Sequence, residues 1–172
     1  QIALLQTFAD QAVIAIGNVR LFEEVQAKTR DLSEALTHQT GSANILRVIA
    51  SSPTDVKPVL QAIVESACEL CGANDAVVRL KDRDGLAFGA HHGPLPANLG
   101  SVEITGHSTA GAAIIGRKPV HVHDLLSAEG DSFPVAQALA RDGGGERTIL
   151  SVPLLRENEG VGAIVLRRAE VQ

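Results

Sequence analysis

Two apolar runs near the end of the chain constrain the fold more than any other feature. Thr148–Leu155 is rich in β-branched residues and contains Pro153, and Val161–Leu166 is a second run of the same character. A polar segment, Arg156–Gly160, joins them. Two apolar runs joined by a short turn that contains glycine predict an antiparallel hairpin. Because both runs are apolar on both strand faces, we expect this hairpin to lie centrally in a sheet that is covered on two sides.

The segments upstream predict the remaining layers of an α+β fold. Helices are predicted over residues 56–70, 108–115 and 132–141, and strands over residues 75–81, 86–91 and 119–122. We therefore expect a central, mostly antiparallel sheet of about five or six strands flanked by helices. Alternating strand positions predict one dry aliphatic core, contributed by Val77, Ile149, Val152, Ile164 and Leu166.

The first part of the chain, from Gln1 to about His38, is predicted to be one long helix. Its residues at a spacing of about 3.5 are Leu5, Phe8, Ala12, Ala15, Val19, Phe22, Gln26, Thr29, Ser33 and Leu36. A sustained repeat of this kind favours a seam between two helices, so we expect a homodimer through Gln1–His38. The seam is apolar at its start and polar after Val25. The alternative, a helix packed on its own domain, stays open.

Composition excludes several classes of function. The chain has 172 residues, of which 45% are hydrophobic and 20% charged, as in a globular protein. Its net charge is −5 without a basic block, which argues against a nucleic-acid partner. No run of 18 apolar residues occurs, so we expect no membrane contact by this segment. Its two cysteines, three residues apart, indicate a reduced, cytoplasmic setting, and the absence of an initiator Met suggests a piece of a longer protein.

Short motifs in a fixed order carry a family resemblance. They are Gly116-Arg-Lys-Pro-Val120, Asp124, Arg147-Thr148, Val152-Pro-Leu154 and Gly162-Ala-Ile-Val-Leu166. Over about Gln39–Val171 this order resembles the GAF family of small-molecule-sensing domains. The resemblance implies a GAF domain at residues 39–172 with a GAF/PAS-like sheet, preceded by a linker or signalling helix at residues 1–38.

The resemblance also implies a function and a departure from the family pattern. It implies a sensory module of a bacterial signalling protein, such as a sensor histidine kinase of a two-component system, whose output domains lie outside this segment. GAF domains usually have a last helix after the strand that corresponds to Gly162–Leu166, whereas this sequence ends at Val171-Gln172 and predicts none there. Gln1–Glu24 is similar to such a helix, so this segment is either the tail of an upstream GAF copy or a replacement for the missing helix.

The candidate ligand site follows from this resemblance. A ligand would lie over the sheet, beneath the helix at 132–141 and the loops Leu95–His107 and Leu125–Gly145. The candidate ligand-binding residues are Phe88, His107, Ala113, Asp124, Phe133, Arg147 and Thr148. The two phenylalanines are candidate walls of a cavity, and Arg147 is a candidate anion anchor. A salt bridge of Arg147 with Asp124 or Glu146, and a capping role for Asp124, are the structural alternatives.

The reactive residue types indicate no enzyme. Cys68 and Cys71 lie near a helix C-terminus, where the helix dipole disfavours a thiolate, so we expect packing cysteines. Some GAF proteins reduce methionine sulfoxide with cysteines, but this chain has none in its loops or second half. Five histidines, His91, His92, His107, His121 and His123, lack a recognised metal spacing, and we expect neither metal nor haem. No catalytic residues and no cofactor are predicted. A degenerate GAF that serves only as a dimerisation scaffold is the alternative function.

Overall fold

The computed structural model describes residues 2–51 and 55–172. The chain divides into two compact units, residues 1–42 and 43–172. Helix α1 spans Ile2–Ser51 and continues without a break through Thr40–Ser42. The side chains of Leu5, Phe8, Ala12 and His38, and residues 52–54, lie outside the described residues. Among the described helices, none is both long and apolar enough to cross a membrane.

The second unit is built around a five-stranded sheet with the strand order β2-β1-β5-β4-β3. Its elements are α2 (Lys57–Cys71), β1 (Asp75–Asp82), β2 (Gly85–His92), α3 (Thr109–Gly116), β3 (Val120–Val122), α4 (Pro134–Leu139), β4 (Thr148–Arg156) and β5 (Glu159–Arg168). All neighbouring strands are antiparallel. The predicted α+β fold, an antiparallel sheet flanked by helices with a long helix at the start, is confirmed.

The central hairpin is tighter than its sequence predicts. Glu157 and Asn158 both have positive φ angles, 51° and 70°, and form a two-residue turn between β4 and β5. Two consecutive left-handed residues match the right-handed twist of the strands they join. Pro153 has no N–H to donate, but β3 pairs only with Ile149–Ser151, so Pro153 lies beyond the part of β4 that needs a partner on that side.

The sheet buries apolar residues on both faces, in two separate layers. On one face α2 contributes Leu60, Val64 and Cys68 to a cluster that includes Ala76, Val78, Ala90 and Leu166. On the other face α3 contributes Ala110 and Ile114 to a cluster that includes Leu86, Val122, Leu125, Ala136, Ile149, Ala163 and Val165. The two-sided cover of the central hairpin thus explains why its strands are apolar at nearly every position.

The single core predicted from sequence is wrong in its arrangement. Ile149 belongs to the α3 cluster and Leu166 to the α2 cluster, and Ile164 packs, partly buried, against the latter. Val152 lies opposite Ile164 and is also only partly buried. Alternation along a strand sends successive side chains to opposite faces, so residues from both strands divide between two layers.

Two helix ends show local chemistry that the sequence signals. Gly72 follows α2 with a φ of 57°, a left-handed conformation that glycine adopts readily at a helix C-terminus. The Ser108 side chain accepts a hydrogen bond from the Gly111 N–H and so begins α3. The predicted helix at 132–141 is instead three short pieces: a 3₁₀ turn at Ala128–Ser132, α4, and a π-helical turn at Ala140–Gly144. Phe133, between the first two, leaves helical geometry with φ −128° and ψ 65°.

Candidate functional site

A cavity of about 420 Å³ lies between the α3 face of the sheet and α4. Its floor is formed by strand residues Val77, Ile149 and Val165, and α4 contributes Val135, Ala136 and Leu139. The start of α3 lines one side with Ser108, Thr109 and Ala110, and the segment after β2 lines another with Pro96, Ala97, Asn98 and Val102. The remaining lining residues are Arg79, Asp142, Gly144, Glu146 and Arg167. A largely apolar cavity with a few convergent polar groups is typical of a small-molecule site.

Two buried arginines hold the loop after β2 against the sheet. Arg79 donates hydrogen bonds to the carbonyls of Gly100 at 2.9 Å and Asn98 at 2.6 Å. Arg167 donates to the carbonyl of Pro96 at 2.9 Å. Each guanidinium therefore fixes the backbone of a loop that forms one wall of the cavity. Burial and the nearby charge of Arg167 lower the pKa of Arg79 from its ordinary value.

The charge of Arg167 is balanced by Asp75, which is fully buried. Arg167 donates to one carboxylate oxygen of Asp75 through Nε at 2.8 Å and Nη2 at 2.5 Å. The other oxygen accepts from the backbone N–H of Leu95 at 3.0 Å and lies 2.8 Å from Nε2 of His91. Asp75 thus joins β1, β2, β5 and the cavity wall in one network. Arg79, by contrast, has no carboxylate partner within the described chain.

Glu146 is a buried acidic residue in the lining of the cavity. The residue is 3% exposed, and its Oε2 has no hydrogen-bond donor within the part of the chain that the structure describes. A buried polar atom left without a partner costs about 1–3 kcal/mol, more for a charged group. Gly144 lies beside this carboxylate, and a Cβ there would lie 2.5 Å from the same oxygen and 2.6 Å from the backbone carbonyl of Leu139. The Leu139 carbonyl cannot move as freely as a side chain, so it is the contact that requires glycine at this position.

The cavity is where the sequence analysis expects a ligand, but none of the candidate ligand-binding residues lines it. His107 precedes the lining residue Ser108, and Phe133 precedes α4. Ala113 is fully buried on α3. Phe88 is paired with Arg79 across β1 and β2, and so projects from the same face of the sheet. A ligand contact by any of these residues stays a prediction.

Asp124, Arg147 and Thr148 lie together but outside the cavity. Arg147 donates to both carboxylate oxygens of Asp124, through Nε at 2.9 Å and Nη2 at 2.8 Å. This is the salt bridge that the sequence analysis gave as the structural alternative to anion binding. The hydrogen bond from Arg147 lowers the pKa of Asp124. Thr148 donates within the same region, to the carbonyl of His123 or of Glu170 at 2.6 and 2.9 Å.

The histidines and cysteines are distributed over several sites. The rings of His121 and His123 lie with their centroids 4.2 Å apart, on one side of β3 as the alternation predicts, and His123 pairs with Glu129. Within the described residues, no group of three or more histidine, cysteine, aspartate or glutamate side chains is arranged to hold a metal ion. Cys68 is buried in the α2 cluster, and burial raises the pKa of its thiol.

Arg79, Glu146 and Arg167 are site residues that the sequence analysis missed. Arg79 and Arg167 lie within apolar strands, at positions where the alternation of side chains faces the interior. A charged residue at such a position is unusual, and this could have marked both arginines as candidate site residues. Glu146 had a weaker signal. It follows three consecutive glycines, and the sequence analysis considered it only as a partner of Arg147.

Fold and cavity together define a class of protein: a domain with one antiparallel sheet, helices on both faces and a ligand-sized chamber on one of them. The GAF domain family model matches residues 53–172 of the chain. The chain therefore belongs to the GAF domain family. No curated protein matches it.

Solved structures share this fold at low sequence identity. The free methionine-R-sulfoxide reductase of Neisseria meningitidis, in complex with its substrate, is 22% identical with a TM-score of 0.60, over 81% of this chain and 77% of that chain. The nlh2 GAF domain of A. aeolicus in an inactive state is 11% identical with a TM-score of 0.62, over 81% and 83%. The GAF domain of a phosphoenolpyruvate-protein phosphotransferase from Coxiella burnetii is 17% identical with a TM-score of 0.62, over 79% and 80%.

Proposed function

We propose that this chain is a sensory GAF module that binds a small molecule in the cavity beneath α4. The observation that supports this most is the cavity itself, about 420 Å³ in volume, within the range of small-ligand sites. Its roof is made of short helical pieces, α4 and the π-helical turn at Ala140–Gly144, that end in glycines. A segment of this kind can adjust around a ligand with little loss of packing.

The signal would leave through α1, which we propose forms a homodimer. Phe22, Val25, Leu32 and Leu36 are all more than half exposed. With Thr29 they recur at alternating spacings of three and four residues, the pattern of a coiled-coil seam. This register extends the apolar seam to Leu36, whereas the sequence analysis placed Gln26 and Ser33 on it and predicted a polar second half.

A dimer through α1 can be tested in the full chain by sedimentation velocity. Leu32→Glu would place a charge in the seam and should shift the protein toward the monomer. Thr37→Glu adds the same charge next to the seam, and we expect the wild-type mass for it. If wild type is monomeric at micromolar concentration, or if both variants behave alike, the proposed seam is wrong.

The output domains in this proposal are other parts of the same polypeptide, and a cytoplasmic sensor histidine kinase is the proposed context. The degenerate scaffold, which would only dimerise, is the second candidate. The exposed seam of α1 supports both functions equally, whereas the cavity supports only the sensor.

Thiol chemistry in the cavity is not proposed, although a methionine sulfoxide reductase shares the fold. Neither Cys68 nor Cys71 lines the cavity. Cys68 packs with α2 on the other face of the sheet, and its raised pKa disfavours the thiolate that a nucleophile needs. These positions argue against a cysteine nucleophile in this cavity, and the absence of an enzymatic activity stays a prediction.

Native mass spectrometry of freshly purified full chain tests ligand binding directly. Ala136 is buried in the cavity lining, and Ala138 lies on the exposed side of α4, so the two sites offer a matched pair. We expect a non-covalent small molecule on wild type and on Ala138→Phe, and its loss from Ala136→Phe. No retained molecule, together with unchanged folding stability of Ala136→Phe, would favour the scaffold.

A further inference from the structure

We infer that the cavity selects a small organic ammonium ion, held by the carboxylate of Glu146. This inference rests on the proposed function, since it names the ligand class for the same cavity. It starts from one fact: Glu146 Oε2 is buried and has no donor within the described chain. A carboxylate in that state is most stabilised by a donor that also carries positive charge.

The arginines of the cavity do not supply that donor. Arg167 directs Nε and Nη2 at Asp75 and Nη1 at the carbonyl of Pro96. Arg79 directs Nη1 and Nη2 at carbonyls of residues 86, 98 and 100. Neither side chain makes a hydrogen bond or an ion pair with Glu146 among the described contacts. Both are committed to the loop that forms the cavity wall.

The charges of the cavity favour a cation over an anion beside Glu146. Arg167 and Asp75 neutralise each other across hydrogen bonds of 2.5 and 2.8 Å. Arg79 and Glu146 are the other buried charged residues of the lining, while Asp142 is exposed to solvent. Since Arg79 makes no hydrogen bond with Glu146 among the described contacts, the Glu146 oxygen still lacks a donor. An ammonium group would supply that donor with the opposite charge, whereas an anionic ligand would place a second negative charge beside the same oxygen.

The rest of the cavity suits the body of such a ligand. Val77, Val135, Leu139 and Val165 present aliphatic surface, and among the described residues none of those that line the cavity is aromatic. A short alkyl chain could lie against this surface while its ammonium group donates to Glu146. Quaternary ammonium groups fit less well, because they have no N–H to donate and no aromatic ring to contact.

The test is a titration of the full chain, uniformly ¹⁵N-labelled, with three probes of similar size: n-butylammonium chloride, sodium butyrate and 1-butanol. Amide resonances of residues 135–146 and 108–110 report the cavity. We expect n-butylammonium to shift these resonances saturably, with at least tenfold tighter binding than either other probe.

The variant Glu146→Gln keeps the shape of the side chain but removes its negative charge, and should weaken the binding of n-butylammonium at least tenfold. Glu69→Gln, on the exposed side of α2, is the matched control and should bind as wild type.

The outcomes separate this inference from the proposed function. Tighter binding of butyrate or butanol in the same residues would overturn the ammonium selectivity and leave a ligand cavity in place. Saturable n-butylammonium binding that Glu146→Gln does not weaken would overturn the role of Glu146. Absence of saturable shifts with n-butylammonium would overturn the inference as well. A well-dispersed spectrum of Glu146→Gln shows that the variant is folded, so that its weaker binding supports the role of the Glu146 carboxylate.

Discussion

Asp75→Ala tests most directly how much the buried Asp75–Arg167 ion pair stabilises the fold. The wild-type carboxylate is fully buried and accepts from Arg167 and from the backbone of Leu95. Removing it leaves the Arg167 guanidinium, 9% exposed, without its counter-ion. Deleting one partner of a buried pair costs about 3–5 kcal/mol, because the other charge stays buried and unpaired.

That magnitude is large for a domain of this size. Total stability is about 5–15 kcal/mol, so the substitution would remove a substantial share of it. With a urea m-value of about 2 kcal/mol/M, the midpoint should fall by about 1.5–2.5 M. Urea unfolding followed by circular dichroism measures this shift. Asp75→Asn retains an acceptor oxygen and should lie between wild type and Asp75→Ala.

Asp124→Ala is the matched control, because it breaks a second aspartate–arginine pair among the described residues. That pair is partly open to solvent, with side-chain exposures of 38% for Arg147 and 23% for Asp124. Exposed pairs contribute little to stability, so the loss should be clearly smaller than for Asp75→Ala. An equal loss in both variants, or a midpoint unchanged by Asp75→Ala, would refute the reasoning.

Three further predictions follow from the described contacts. Leu86→Ala, at a fully buried position, should cost about 2–5 kcal/mol in the same urea assay. Ile164→Ala, at a partly buried position, should cost less, and the reverse order would contradict the burial of these two side chains. In ¹³C NMR titrations the Asp124 carboxyl should titrate below its ordinary pKa and return toward it in Arg147→Gln. Because this pKa is lowered in the folded state, the Asp124–Arg147 pair stabilises the fold at pH values above the ordinary pKa of the carboxyl group. That stabilisation is lost as the pH falls through the lowered pKa. An unchanged Asp124 titration in Arg147→Gln would show that Arg147 does not cause the lowered pKa. Maleimide should modify the exposed Cys71 faster than the buried Cys68 when the native chain is labelled and then mapped by peptides. Equal rates would contradict the burial of Cys68.

Local patterns predicted the fold because each is dictated by short-range chemistry. The apolar runs of β4 and β5, the glycine stop at Gly72 and the Ser108 cap all express preferences of neighbouring residues. The helix at 132–141 was predicted as one piece, since its composition is helical. The structure breaks it around Phe133, where the backbone departs from helical angles.

The site was less predictable, because it depends on which distant residues meet. The sequence predicts aromatic walls and an arginine anchor after the glycine run, but Arg147, which directly precedes β4, forms a salt bridge with Asp124. The role of Arg79 depends on carbonyls of a loop about twenty residues away in sequence, which no local pattern specifies.

The central claim, a ligand beneath α4, is tested most directly by hydrogen–deuterium exchange on the full chain. The molecule retained in native mass spectrometry would be removed and then added back. We predict slower exchange in residues 133–147 on adding it, with no change for Ala136→Phe, in which the cavity is filled. Unchanged exchange in that segment, with slowing elsewhere in the domain, would contradict the account and place the ligand site at another surface.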